Sequence, residues 1–125
     1  MMKSTRIFER EPGKDYRHFI GGRDITLTRD ASGAHADIAH RWKYHSDGFE
    51  WGYGGSGPAD LALNILGLFV EPPEAYRLHQ AFKWDMIAGL PRDVAAQTLS
   101  ADRIRRWIND TWLIWAGRSV SRGAS

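Results

Sequence analysis

Hydrophobic positions in the first third of the chain recur at every second residue. Ile25 and Leu27 alternate with Thr26 and Thr28, and Ala36, Ile38, His40, Trp42 and Tyr44 alternate with Asp37, Arg41 and Lys43. A period of two marks a strand with one buried face. The intervening Asp30-Ala31-Ser32-Gly33 supplies side chains for local hydrogen bonds and a glycine for positive φ, so a β-hairpin is predicted. Phe49, Trp51 and Tyr53 keep the same period and predict a further strand over 49–53.

Beyond Pro58 the spacing changes to three and four. Leu61, Ala62, Ile65, Leu66 and Phe69 predict a helix over about 58–70, with Pro58 at its start and Asp60 in its first turn. Pro72-Pro73 breaks it and opens a second helix, about 73–88, carrying Ala75, Leu78, Phe82 and Met86 and stopped by Gly89 and Pro91. Ala95–Leu99 reads as a brief additional strand. Ser100 is the predicted cap of a third helix, about 101–116, in which Ile104, Trp107, Ile108, Thr111, Trp112 and Trp115 share a face. The order predicts an α+β domain: a three-stranded antiparallel sheet within about 16–53, packed against three helices. Residues 1–15 are polar and read as a loosely held arm, 16–116 as a single domain and 117–125 as a frayed tail.

Composition narrows the function classes. A chain of 125 residues with 42% hydrophobic content has enough core for one domain without a staple. The absence of cysteine excludes disulfides, thiol nucleophiles and thiolate metal sites. The longest apolar run, Leu61–Val70, is interrupted by Asn64 and Gly67 and is too short for a membrane span. Met1–Arg6 has no apolar signal-peptide core, so a cytoplasmic protein without membrane contact is expected. The formal charge of +2 is an average over unlike segments. Residues 1–46 hold nine Lys/Arg against six Asp/Glu, residues 47–102 three against eight, and residues 103–125 five against one. Any polyanion contact therefore belongs at the ends of the chain.

The densest chemistry lies in His45–Asp60, where Gly48, Gly52, Gly54, Gly55 and Gly57 cluster. Each ordered glycine costs extra chain entropy, so a cluster needs a geometric reason. A glycine-rich turn feeding a helix start presents free N–H groups and suits an anion or a nucleotide. Gly52, Gly54 and Gly57 fit the spacing of a dinucleotide loop, but no β-α-β unit surrounds them and no phosphate-binding lysine follows. Pro58 and Asp60 further weaken phosphate binding. A tight strand-to-helix corner capped by Ser56, or a protein-contact loop, accounts for the same residues. The candidate ligand or partner contacts are Glu50, Trp51, Tyr53, Gly54, Gly55, Ser56 and Asp60. Glu50 and Asp60 would be the acid/base pair or metal clamp of a small nucleotide-processing enzyme, if they converge. His45-Ser46-Asp47 is an adjacency and not a catalytic triad. His18, His35, His40, His45 and His79 lack zinc-motif spacing, so neither a metal nor a cofactor is expected. Arg103 and Arg106 lie one helical turn apart and form a secondary basic contact suited to phosphate, the basis of a DNA-binding reading.

The run His45-Ser46-x-Gly48-Phe49-x-Trp51-Gly52-Tyr53-Gly54-Gly55-Ser56-Gly57-Pro58-Ala59-x-Leu61-Ala62-Leu63 carries a resemblance, together with Leu78-His79-Gln80-x-Phe82-Lys83 and Leu90-Pro91. Across about Tyr16 to Trp107 the chain resembles an uncharacterised family of small bacterial proteins common in phages, prophages and plasmids. The resemblance supplies no catalytic residue. It implies a mobile-element setting, and hence a non-enzymatic binding protein of counter-defence or host takeover. Its partner would be a host protein, a nucleoprotein complex or a nucleotide signal.

Overall fold

The computed structural model describes residues 19–111. The predicted arm 1–15, the tail 117–125 and helix positions 112–116 lie outside these residues. Strands β1 (Ile25–Asp30) and β2 (Gly33–Ala36) form a hairpin about the expected turn, with Leu27 opposite Ala36 and Asp30 opposite Gly33, but the second strand ends at Ala36, whereas the alternation predicts it over 36–44. Its turn is closed by Asp30, whose Oδ1 accepts from the Ser32 amide at 2.8 Å and the Ser32 hydroxyl at 2.6 Å. Those two bonds hold the Asp30 carboxyl below its ordinary pKa.

The sheet is three-stranded, antiparallel and ordered β2-β1-β3, so the α+β class stands. The third strand, however, is β3 (Ala96–Leu99), which pairs Ile25 with Leu99 and Thr28 with Ala96. Residues 49–53 are not a strand. Both edges of β1 are occupied by β2 and β3, which leaves 49–53 no partner there. Gly52, at φ +89°, breaks the extended run, and its amide donates instead to the Ile87 carbonyl at 3.1 Å. The alternation over 38–44 is likewise not sheet. The chain turns away after Ala36, where the Asp37 side chain takes the Thr26 amide at 2.9 Å.

Helix α1 (Ser56–Leu66) is central, and all its residues from Gly57 to Leu66 are buried. A helix covered on every side needs neighbours all round. α2 (Pro72–Phe82) packs along it and runs into a π-helical turn at Lys83–Ile87, closed by the Ala88 amide on the Lys83 carbonyl at 2.8 Å. The irregular segment 37–55 covers more of it. A third helix, α3, begins at 101 and is described to 111. The Ser100 hydroxyl caps it, accepting from the Arg103 amide at 3.1 Å. Ile25, Leu27 and Leu99 from the sheet meet Leu61, Ile65 and Leu66 of α1, Phe82 of α2, and Ile104 and Ile108 of α3 in one core.

Candidate functional site

Two polar residues on α1 hold the irregular segment in place. Asp60 is fully buried and accepts three hydrogen bonds. The His45 amide reaches Oδ1 at 3.0 Å, and the Ser46 amide reaches Oδ2 at 3.1 Å. His40 Nε2 lies 2.8 Å from Oδ2, while the His40 ring stacks on Phe49 at 4.2 Å. One turn later, Asn64 Oδ1 accepts from the amides of Arg41 at 2.7 Å and Trp42 at 3.0 Å. Its Nδ2 donates to the carbonyls of Trp42 at 2.9 Å and Asp60 at 2.8 Å. An amide side chain offers two donor hydrogens and two lone pairs, and all four are used. The Trp42 ring lies directly over Gly67, where any Cβ would meet it at 2.2 Å.

This clamp sets one wall of an open cleft of about 660 Å³, formed by Trp42, Tyr44 and His45. The other wall is Pro72, Pro73 and Tyr76 at the start of α2, with Leu63 between the two. Tyr44 and Tyr76 are 61% and 54% exposed, and their rings meet edge to face at 5.9 Å. At the lip, His45 Nε2 lies 3.0 Å from Nε2 of His79, a residue only 2% exposed. His79 Nδ1 is 2.5 Å from the Tyr76 carbonyl and must donate to it. Burial pushes the His79 imidazole below its ordinary pKa, so it is neutral near pH 7. The lining contains no Lys, Arg, Asp or Glu side chain. Aromatic faces and proline rings make the cleft a surface for flat or apolar groups.

The glycine corner is a separate structure. Glu50 is gripped by Arg29, with the shorter contact at 2.8 Å, and faces Arg92 at 3.8 Å. Chiefly through the Arg29 hydrogen bond, its carboxyl sits below the ordinary range. Trp51 is fully buried beneath the Arg29 guanidinium at 4.7 Å, and its indole N–H has no acceptor, so it offers no stacking face to a ligand. Tyr53 is 43% exposed under Arg92, at 5.2 Å. Gly54 is overlain by Trp84, and its carbonyl accepts from Lys83 Nζ at 3.1 Å. Gly55, not Ser56, is the N-cap of α1, and Ser56 is its first residue, so the expected Ser56 side-chain cap is absent.

Among the predicted contacts, Glu50, Trp51, Tyr53, Gly54, Gly55 and Ser56 thus adjoin one corner, whereas Asp60 has turned inward. Glu50 hydrogen-bonds Arg29 and pairs electrostatically with Arg92, while Asp60 hydrogen-bonds His40, His45 and Ser46. They share no partner, which withdraws the geometric basis for an acid/base pair or metal clamp. No three His, Asp or Glu side chains converge on a possible metal among the described residues. Arg103 and Arg106 are both exposed on α3, while Ile104 and Ile108 face the core.

Sequence reasoning missed Trp42, Tyr44, Pro72, Pro73, Tyr76 and His79. A signal was present in Asp60 and Asn64, two polar residues four apart on an otherwise apolar helix. That spacing places them on one face and asks for backbone partners.

The chain belongs to a family of unknown function (DUF6166), whose model matches residues 16–110. No curated protein and no solved structure matches it. Among the described residues, no helix is long and apolar enough to cross a membrane.

Proposed function

We propose that the protein is a non-enzymatic binding protein that takes an extended segment of a partner protein into the aromatic cleft. The observation carrying this reading is the cleft itself. Two half-exposed tyrosines, a tryptophan and two prolines enclose about 660 Å³ with no charged group for a phosphate. Its volume lies within the range of about 300–1,000 Å³ for ligand sites. Aromatic and proline walls of this kind suit proline or aromatic side chains carried on an extended backbone. The clamp on α1 forms the wall in advance, so little ordering entropy is lost on binding.

A mobile-element setting would make the partner a host protein met in the host cytoplasm, and the outcome counter-defence or takeover. A second reading, a nucleotide signal at the glycine corner, is favoured by Tyr53 beneath Arg92 and by Trp84 beneath Lys83 at 4.4 Å. Arg103 and Arg106 remain a secondary basic contact, for a nucleoprotein partner or for DNA.

The test is capture from host-cell extract by the intact chain and by the Tyr44→Ala/Tyr76→Ala double variant. Both tyrosines are more than half exposed, so the variant should unfold within about 1 kcal/mol of the parent. The expected result is a partner retained by the parent and lost by the variant. Identical capture by both would overturn the cleft reading. A thermal shift with nucleotides that disappears in Tyr53→Ala would move the function to the corner.

A further inference from the structure

We propose that His45 and His79 form a binding site for a borderline transition-metal dication such as Zn²⁺ or Co²⁺. This inference does not depend on the cleft having a protein partner. The two Nε2 atoms already face each other end to end across 3.0 Å, with ring centroids 5.2 Å apart and ring planes inclined by 27°. A tetrahedral metal with bonds of about 2.0–2.1 Å holds two imidazole nitrogens roughly 3.3–3.4 Å apart. The pair therefore has to open by about 0.3–0.4 Å and tilt so that both lone pairs converge on the ion, a rearrangement that falls to the exposed His45 ring and not to buried His79.

The surroundings of His79 are those of a prepared ligand. Its Nδ1–H is committed to the Tyr76 carbonyl at 2.5 Å, which leaves the Nε2 lone pair as the only acceptor on the ring. Metal-bound imidazoles are oriented by this kind of bond from the distal nitrogen. His79 Nε2 receives His45 from one side and the Gln80 amide, at 3.4 Å, from another. A half-turn of that amide would bring its oxygen in as a third donor. Asp60, whose carboxylate takes the His45 amide at 3.0 Å, contributes buried negative charge beside the pair. Lys83 opposes it, but its ammonium is engaged by the Gly54 carbonyl and the Trp84 ring.

The donor set selects the metal. Two imidazoles without thiolate favour Zn²⁺, Co²⁺, Ni²⁺ or Cu²⁺ over Mg²⁺ and Ca²⁺, which require oxygen ligands. The protons balance without an acceptor. With His79 Nε2 accepting, His45 donates from Nε2, and on metal uptake solvent carries that proton to its Nδ1, so the tautomer changes and no proton has to be released. The remaining coordination positions are left to water or to a group entering the cleft that His45 lines.

Co²⁺ is the probe, followed by its visible absorption, with Zn²⁺ competition to report binding of the native-like ion. Binding is expected at one ion per chain. His45→Ala should weaken it at least tenfold, while His35→Ala leaves it unchanged. The His45 ring is exposed, so the fold survives this change. His79→Gln serves as a second variant where its far-ultraviolet spectrum matches the parent. In ¹⁵N spectra, Zn²⁺ should move the Nε2 resonances of both rings while the His79 Nδ1–H persists. Binding by His45→Ala equal to that of the parent, or no uptake by the folded parent at millimolar Co²⁺ and Zn²⁺, would overturn the site and leave a shared-proton pair.

Discussion

Replacing Asn64 by Asp leaves the shape of the side chain intact and exchanges one NH₂ for an oxygen. The parent amide donates to the Trp42 and Asp60 carbonyls at 2.9 and 2.8 Å while accepting from two backbone amides. In Asn64→Asp both donated bonds become oxygen–oxygen contacts, and a charge is placed at a position only 3% exposed. A buried acceptor left without its donor costs about 1–3 kcal/mol, and an uncompensated buried charge about 3–5 kcal/mol. The two descriptions overlap, so about 4 kcal/mol is expected in total. At roughly 4–8 °C per kcal/mol for a domain of this size, Tm should fall by about 15–30 °C. Urea unfolding followed by tryptophan fluorescence, with hydrogen exchange at the Trp42 amide, measures both global and local loss. Burial raises the pKa of the introduced carboxyl above its unfolded value. Protonation is therefore easier in the folded state, and the deficit should shrink as pH is lowered. An Asn64→Asp protein within about 1 kcal/mol of the parent at neutral pH, with Trp42 protection unchanged, would refute the claim that Asn64 holds the cleft wall.

The Glu50–Arg29 pair is part-buried, so Glu50→Gln should cost only about 1 kcal/mol at neutral pH, measured by urea midpoint. Because the folded Glu50 pKa is depressed, its contribution is present above the unfolded pKa and lost as pH falls through the folded one. Parent and variant should therefore converge in acid; a constant gap would contradict the pairing. Gly52→Ala adds a Cβ 2.0 Å from Arg92 Cγ and 3.1 Å from the Leu90 carbonyl at φ +89°, and is expected to cost about 2–3 kcal/mol. Gly33→Ala, at φ +121° with nothing within 4 Å, should cost only about 1 kcal/mol, so the difference in denaturation midpoint isolates the crowding.

The β1–β2 turn, the start of α2 and the Ser100 cap were legible because each is decided within a few residues. Asp30, Ser32 and Gly33 form their turn locally, and Pro72 and Ser100 act on the backbone next to them. The third strand was not legible at 49–53. Period two describes the run from Phe49 to Tyr53, but strand pairing is decided by which segment reaches β1, and that is Ala96–Leu99. The same limit hid the cleft. Trp42 and Tyr44 alternate like strand residues, yet the amides of Trp42 and of His45, next to Tyr44, are captured by Asn64 and Asp60 of a helix 22 and 15 positions away. The glycine corner was visible as a cluster, while the close contacts that require glycine there were not: Gly52, Gly54 and Gly55 lie beneath Arg92, Trp84 and Tyr53.

The order β2-β1-β3 also bears on how the chain acquires its structure in time. β1 and β2 meet across a two-residue turn, whereas β3 joins β1 only after the loop from Ile25 to Leu99 has closed. Closing a long loop carries an entropic cost that must be met before its contacts form. During synthesis the middle strand of the sheet waits, with one hydrogen-bonding edge unpaired, until residues 96–99 have left the ribosome. The helices between the strands must then assemble against a half-built sheet, and that open edge is where a nascent copy would be most exposed to pairing with the wrong chain.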